Sequence, residues 1–285
     1  MGESLLNADN HIDSTTRFEF GENWTRFLMD LDDKRIDDAV ASLVEFLDVE
    51  NLDGLRFLDI GSGSGLFSLA ARRLGATVVS FDFDEESVAC TKELRRRFYP
   101  DEDCWRIEQG SALDSKYLSS LGKFDVVYSW GVLHHTGAMW LGFENAVKCV
   151  ASDNGKLFVA IYNDQGWKSH SWWFIKLMYN RIPRFVKPVF VTVVSIITRF
   201  FVILKYTIKL QPMVAIAPIF QGRKARGMSA RFDRVDWIGG YPYEFAKYQT
   251  LVEYFRSRGF SIIKGKENTT LGCHELALKR GACAE

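Results

Sequence analysis

The segment from Phe57 to Phe67, FLDIGSGSGLF, constrains this chain more than any other. An apolar run ends in Asp59 and Ile60, glycines follow at Gly61, Gly63 and Gly65, and a helical run begins at Leu66. Glycine adopts positive φ without steric penalty, so this order predicts a strand, a sharp turn and a helix start. The first helix amides then face the carboxyl end of the strand, where open α/β sheets bind their ligands. Asp82 follows Gly61 by 21 residues at the end of the next apolar run, and a carboxylate there suits the two hydroxyls of a ribose. Together these features imply a nucleoside ligand. A nicotinamide dinucleotide site would use the same two features. The G-x-G-x-G spacing departs from it, because Leu66 stands where G-x-G-x-x-G needs its third glycine. Asp59, two residues ahead of the first glycine, suits a cationic sulfonium with an amino-acid tail better than a pyrophosphate.

Around this loop the chain repeats a short apolar run, a turn and an amphipathic stretch, the mark of βαβ units and a parallel sheet. Strands are expected at Arg56–Ile60, Thr77–Phe81, Trp105–Glu108, Phe124–Ser129 and Lys156–Tyr162, with helices starting near Leu66, Asp84, Ser115 and Ala138. A helix over Tyr243–Arg258 and two closing strands, Phe260–Gly265 and His274–Lys279, complete the pattern. The fold class read from this order is α/β: a doubly wound, mostly parallel seven-stranded sheet with an apolar helical insertion before its last two strands. Residues 1–54 read as an N-terminal helical arm, 55–165 as the binding core, 166–242 as the insertion or lid, and 243–285 as the closing helix and strands.

Composition narrows the partners. Thirty-six basic residues balance thirty-six acidic ones, which removes the overall basic signature of many nucleic-acid binders, and none is expected as a partner. The five cysteines are scattered and never spaced C-x-x-C, so neither a disulfide framework nor a zinc site is indicated. No metal is expected. The first twenty residues lack the basic start and apolar core of a signal peptide, and a cytoplasmic location is expected.

Through FLDIGSGSG, SFDFD, EQGSALD at 108–114 and FDVVYSWGVLHH at 124–135, the sequence resembles the class I S-adenosylmethionine-dependent methyltransferases. The likeness covers roughly residues 20–165, and the closing segments at 243–280 extend it in order. Its layout is most similar to the ubiquinone-type small-molecule O-methyltransferases. The resemblance implies a Rossmann-like fold, S-adenosylmethionine as cofactor, and roles by position. Asp59 and the backbone of Gly61, Gly63 and Gly65 would cradle the methionine end, Asp82 would hold the ribose, and Phe83 would pack on the adenine. Ser111 and Ala112 stand where the family usually has an aspartate and a small residue near the adenine amine; the aspartate is missing here. Trp130 and Leu133 would line the path to the methyl group.

Methyl transfer from a sulfonium needs alignment and exclusion of water, and a base only where the acceptor carries a proton. His134 and His135 follow the fourth strand at the edge where donor and acceptor meet, and they are the candidate catalytic bases. The competing reading is that they hydrogen-bond backbone and shape the loop. Asn163, Asp164, Trp237, Tyr241 and Tyr243 are further candidates to meet the acceptor. Phe20 and Trp24 in the N-terminal arm are candidates to cover the donor pocket.

Residues 189–208, VFVTVVSIITRFFVILKYTI, carry only Arg199 and Lys205 as charges. A run of that length sits at the threshold for a membrane span, yet an arginine in its middle is costly in hydrocarbon. A lid, a homodimer surface through residues 172–220, or an interfacial helix on a membrane surface are the competing readings. All imply a small acceptor that is at least partly apolar or aromatic. The function expected is therefore methyl transfer to oxygen or nitrogen of a small hydrophobic or lipid-like molecule. The alternatives are a methyltransferase acting on RNA or protein, a nicotinamide-dependent oxidoreductase, and a non-catalytic nucleoside-binding protein.

Overall fold

The computed structural model describes residues 31–101, 103–208 and 237–281, together with Phe18, Leu28 and Val235. The sequence expectations for Phe20 and Trp24 lie outside the described residues. Seven strands form one sheet: β1 (Arg56–Ile60), β2 (Thr77–Asp82), β3 (Trp105–Gln109), β4 (Val126–Trp130), β5 (Lys156–Tyr162), β6 (Phe260–Lys266) and β7 (Cys273–Arg280). Their order is β3-β2-β1-β4-β5-β7-β6. The first five pair in parallel, and β7 runs antiparallel between β5 and β6. This is the doubly wound, mostly parallel architecture that the sequence pattern implied.

The helices are α1 (Asp33–Leu47), α2 (Leu66–Arg73), α3 (Glu85–Phe98), α4 (Ser115–Leu121), α5 (Met139–Cys149), α6 (Trp167–Arg181), α7 (Lys187–Ile208) and α8 (Tyr248–Arg256). Several start where the sequence supplies an aspartate cap. The side chains of Asp32, Asp84 and Asp114 accept from amides in the first turns of α1, α3 and α4. Each satisfies donors that would otherwise be orphaned, an effect worth about 1 kcal/mol per helix. In α3 the acidic residues Glu85 and Glu86 stand in the first turn and Arg95–Arg97 in the last, matching the helix dipole.

Alternation along the strands sends side chains into two cores. Phe57, Val78, Val126, Tyr128 and Phe158 pack with α1, α2 and α3 on one face. Leu58, Ile60, Phe81, Val127 and Val159 pack with α4, α5 and α8 on the other. Both faces are buried, which is why these strands read as continuous apolar runs. β1 lies between β2 and β4, so the chain reverses its direction of travel across the sheet there, and a crevice opens at the carboxyl ends of the strands.

Two elements begin two or more residues later than the sequence expectation. α8 begins at Tyr248 rather than near Tyr243, because residues before it run extended and Ala246 bridges to Asn163 beside β5. β4 begins at Val126; Phe124 instead makes an isolated bridge with Val150. The insertion is helical as expected over its described part, α6 and α7, and departs from the sheet at the carboxyl end of β5.

Candidate active site

The glycine loop is built on positive φ. Gly61, Gly63 and Gly65 have φ of 75, 54 and 80°. The Gly61 and Ser62 amides both donate to the Phe81 carbonyl, at 2.9 and 3.1 Å, tying the loop to β2. A Cβ on Gly61 would lie 2.4 Å from a methyl of Val132, and one on Gly65 would lie 2.9 Å from Thr91. Glycine is required there both for conformation and for space. The Asp82 carboxylate, at the end of β2, accepts from the Gly63 amide at 2.9 Å and from the Asp84 amide at 3.0 Å. The loop and the acidic residue thus form one hydrogen-bonded unit.

Beside this unit runs a groove open to solvent, with about 40 Å³ of cavity volume, lined by Gly61, Asp82, Phe83, Ser111, Ala112 and Val132, among others. Phe83 is half-exposed and lines the groove, at the place expected of a base-stacking residue. Ser111 is engaged locally, its Oγ accepting from the Leu113 amide at 3.2 Å. Asn145 donates to the Ala112 carbonyl at 3.0 Å, which fixes the backbone of this wall. An aspartate at the Ser111 position is absent, so the wall offers a hydroxyl and backbone groups to a base.

Further along the carboxyl edge, the turn after β4 places His134 and His135 against β5 and the closing segment. His134 is buried and its Nδ1 accepts from the Tyr162 amide at 3.3 Å. Burial, then the neighbouring His135 and Lys176, hold its pKa well below the ordinary imidazole value, while a bond to the Ala160 backbone opposes this. His135 Nδ1 lies 2.6 Å from the Pro242 carbonyl, so Nδ1 carries the proton and the basic lone pair sits on Nε2. Its chain neighbour Thr136 lines the groove.

Aromatic rings surround this pair. Tyr162 is 3.9 Å from His134 and 5.0 Å from Tyr243, centroid to centroid, and Trp237 stacks edge-on to Tyr162 at 5.6 Å. The ammonium of Lys176, from α6, is 4.9 Å from the ring centroids of both Trp237 and Tyr243 and donates to the Trp237 carbonyl. Glu244 ties the closing segment to the histidine turn. Its amide donates to the His134 carbonyl at 2.9 Å, and its carboxylate accepts from the Met139 amide at the start of α5. Burial pushes that carboxyl up to about 7, against the pull of its backbone hydrogen bonds.

A family model described as a methyltransferase domain matches residues 32–189. The chain belongs to the class I S-adenosylmethionine-dependent methyltransferases. Among curated relatives, it is 35% identical over 113 residues to the ubiquinone biosynthesis O-methyltransferase of Brucella ovis, an alignment covering 39% of this chain and 43% of that protein. It is 36% identical over 90 residues to the ribosomal protein L11 methyltransferase of Helicobacter hepaticus, covering 31% of this chain and 27% of that one. The matched region therefore spans less than half the length of these relatives, which differ in the acceptor named. Among solved structures, magnesium protoporphyrin IX methyltransferase from Synechocystis PCC 6803 with bound SAH superposes with a TM-score of 0.54 at 17% identity. That superposition covers 91% of this chain and 94% of the other. A likeness at that identity speaks to the fold.

Three of the residues expected to meet the donor stand apart from the groove lining. Asp59 was expected to cradle the methionine end, but it is buried on the α1–α3 side of the sheet. There Ser68 Oγ donates to its Oδ2 at 2.5 Å, in a chain that continues through Ser80 to Trp105. Burial raises its carboxyl pKa to about 7, the Ser68 hydrogen bond opposing and Asp82 adding to the rise. Strand alternation explains this placement: with Leu58 and Ile60 facing the other core, Asp59 points at α2, where it braces the helix that carries the loop. Leu133 was expected on the methyl path, but it is fully buried in the α4–α5–α8 core beneath Gly142. Trp130 is half-buried against the opposite core and is absent from the groove lining. Val132, between them in sequence, lines the groove. His134, expected as a base, has its ring held to backbone on both sides, at Tyr162 and Ala160, which suits a structural role.

The residues missed by sequence reasoning are Val132, Thr136, Lys176 and Glu244. Val132 and Thr136 sit in the glycine-bounded turn Gly131–Gly137, whose positive φ at both ends was a readable signal. Lys176 was not readable, because nothing in an apolar insertion marks one lysine as buried. Asn163 faces the β6–β7 connection, donating to the Asn268 and Thr270 carbonyls.

Proposed function

We propose that this protein transfers the methyl group of S-adenosylmethionine to an oxygen or nitrogen of a small, apolar acceptor. The observation that carries the reading is the continuity of the carboxyl edge. A groove bounded by the glycine loop and Asp82 reaches, at Val132 and Thr136, the turn that carries His134 and His135, beside which stand Tyr162, Trp237 and Tyr243. The residues fit the cofactor. Gly61 lines the groove with backbone alone, and Asp82 and Phe83, which line it too, offer a carboxylate and a ring to a ribose and a base. When bound, S-adenosylmethionine supplies an electrophilic methyl on a sulfonium.

The chain's own residues do the rest. Gly61, Gly63 and Gly65 give the backbone cradle, Asp82 orients the ribose, Phe83 stacks, and the Ser111–Ala112 wall closes the base side. His135 Nε2 accepts the acceptor's proton as the new bond forms, with Nδ1 held by Pro242 so that the tautomer is fixed before the reaction. The aromatic wall excludes water and favours an apolar or aromatic acceptor. The ubiquinone-type relatives name an acceptor of this class, which supports the reading.

The test uses donor carrying a labelled methyl, cell extract, and partition into organic, small polar, protein and RNA fractions. Label in the organic or small-molecule fraction, absent with the Asp82→Ala variant, is the expected result. Label confined to protein or RNA replaces this acceptor class with a macromolecular one. Tight donor binding without transfer to any fraction argues for a non-catalytic role.

A further inference from the structure

The insertion after β5 is charged in one sense only. Between Asp164 and Asp233 the chain carries twelve Lys and Arg residues and no Asp or Glu, although its basic and acidic residues balance over the full length. The remainder of the molecule is correspondingly acidic. The same segment gathers the exposed apolar surface: among the described residues, 14 of the 18 exposed large hydrophobic side chains lie within Trp167–Ile208. Scattered exposed apolar residues are ordinary, but a contiguous concentration of them marks an interaction surface.

α7 is the centre of this surface. Among the described residues it is the one helix long and apolar enough to cross a membrane, and Val194 is its one buried side chain. Its first half is fastened to the body. Phe190 packs on Tyr179 of α6 at 6.2 Å, the Lys187 ammonium sits 4.8 Å above the Tyr179 ring, and Val194 joins Tyr179 and Ile238 in a small third core. Its second half, with Phe200, Phe201, Ile203 and Leu204, stands exposed. Trp173 and Phe185, also exposed, lie on α6 and at the turn between the two helices.

We propose that α7, together with the exposed aromatics of α6, docks this protein on the surface of an anionic lipid bilayer, the helix lying in the headgroup plane. Two features select this occupant. An all-basic, apolar surface is complementary to acidic lipid headgroups over acyl chains, and each basic residue near such a surface strengthens partition roughly fivefold. A second copy of the chain would set the same unbalanced positive charges against each other, a mismatch that protein interfaces avoid. A span is disfavoured by Arg199 near the helix centre and by the packing of the first half against α6. Because α6 also carries Lys176 to the aromatic wall beside His135, docking would set the acceptor end of the sheet close to the lipid surface. The docking itself does not depend on the acceptor reading above.

The experiment is co-sedimentation of the full chain with vesicles of phosphatidylcholine alone or with about 30% phosphatidylglycerol, at low and at about 0.5 M salt. Binding at least about tenfold tighter to the anionic vesicles, weakened by salt, is expected. Arg199→Glu with Lys205→Glu, and separately Phe200→Ser with Phe201→Ser, should each reduce binding at least about tenfold while the circular dichroism spectrum and melting temperature hold. Equal binding to neutral vesicles that resists salt would overturn the proposal in favour of a span. Absence of vesicle binding would overturn it as well, and a concentration-dependent dimer in sedimentation velocity would then assign the surface to a second copy. Should the variants fail to fold, the lipid and salt comparison on the natural chain decides alone.

Discussion

The two ends of the carboxyl edge are built in opposite ways. The donor end is local: strand, glycine turn, helix and Asp82 all fall between Phe57 and Asp84, and its key bond, Gly63 to Asp82, spans 19 residues. The acceptor end is assembled from distant chain. His135 is held by Pro242 across 107 residues, and Met139 by Glu244 across 105. The donor end can therefore be read from one stretch of sequence, while the acceptor end depends on contacts between stretches far apart in the chain.

Substitutions can break that comparison. The largest effect is expected from Gly61→Ala, because the new Cβ meets Val132 at 2.4 Å on a backbone with φ of 75°. Calorimetry should show donor affinity weakened by more than about 100-fold, with little change in acceptor KM beyond that loss. His135→Gln should instead leave donor affinity within about threefold while kcat falls about 100-fold, the lower range for a lost general base. His134→Gln serves as its control: it should lower stability by about 1–3 kcal/mol, through lost buried hydrogen bonds, with kcat reduced far less.

Asp82→Ala comes next. Losing a carboxylate that binds two backbone amides, and that the account assigns to the ribose, should weaken donor binding about 20-fold. The smallest functional effect is expected from Asp59→Asn, under about threefold on donor affinity, because that side chain faces α2 rather than the groove. It sharpens the comparison through stability. The folded-state pKa of Asp59 is raised to about 7 from 3.8, so between those values the folded protein holds a proton that the unfolded chain releases. Stability from this group is therefore highest below about pH 4 and declines as pH rises towards 7, by up to about 4 kcal/mol. Denaturant titrations at several pH values should show that decline reduced in the asparagine variant, with the remainder owed in part to Glu244, which is shifted in the same sense.

What could be read from the sequence follows the same division. The seven strands were legible because both sheet faces are buried and the apolar runs announce it. The glycine loop was legible because only glycine tolerates its φ values and its contact with Val132. The place of Asp59 in the motif is visible in the sequence, and so is its strand face: alternation from Leu58 turns it towards α2. Trp130 ends β4 on the same face as Val126 and Tyr128, as strand alternation dictates, whereas Leu133 lies in a short 3₁₀ turn, Leu133–His135, that follows neither strand nor α-helical period. Lys176 and Glu244 act through contacts with the closing segment, and no local pattern records a partner more than 50 residues away.

The most direct test of the account is a pair of calorimetric titrations with S-adenosylhomocysteine, on Gly61→Ala and on His135→Gln, each beside the natural chain. The account predicts that the glycine variant loses binding by more than about 100-fold while the histidine variant binds within about threefold of the natural chain. Unchanged binding by the glycine variant, or an equal loss in both, would contradict the separation of a local donor cradle from a long-range acceptor end.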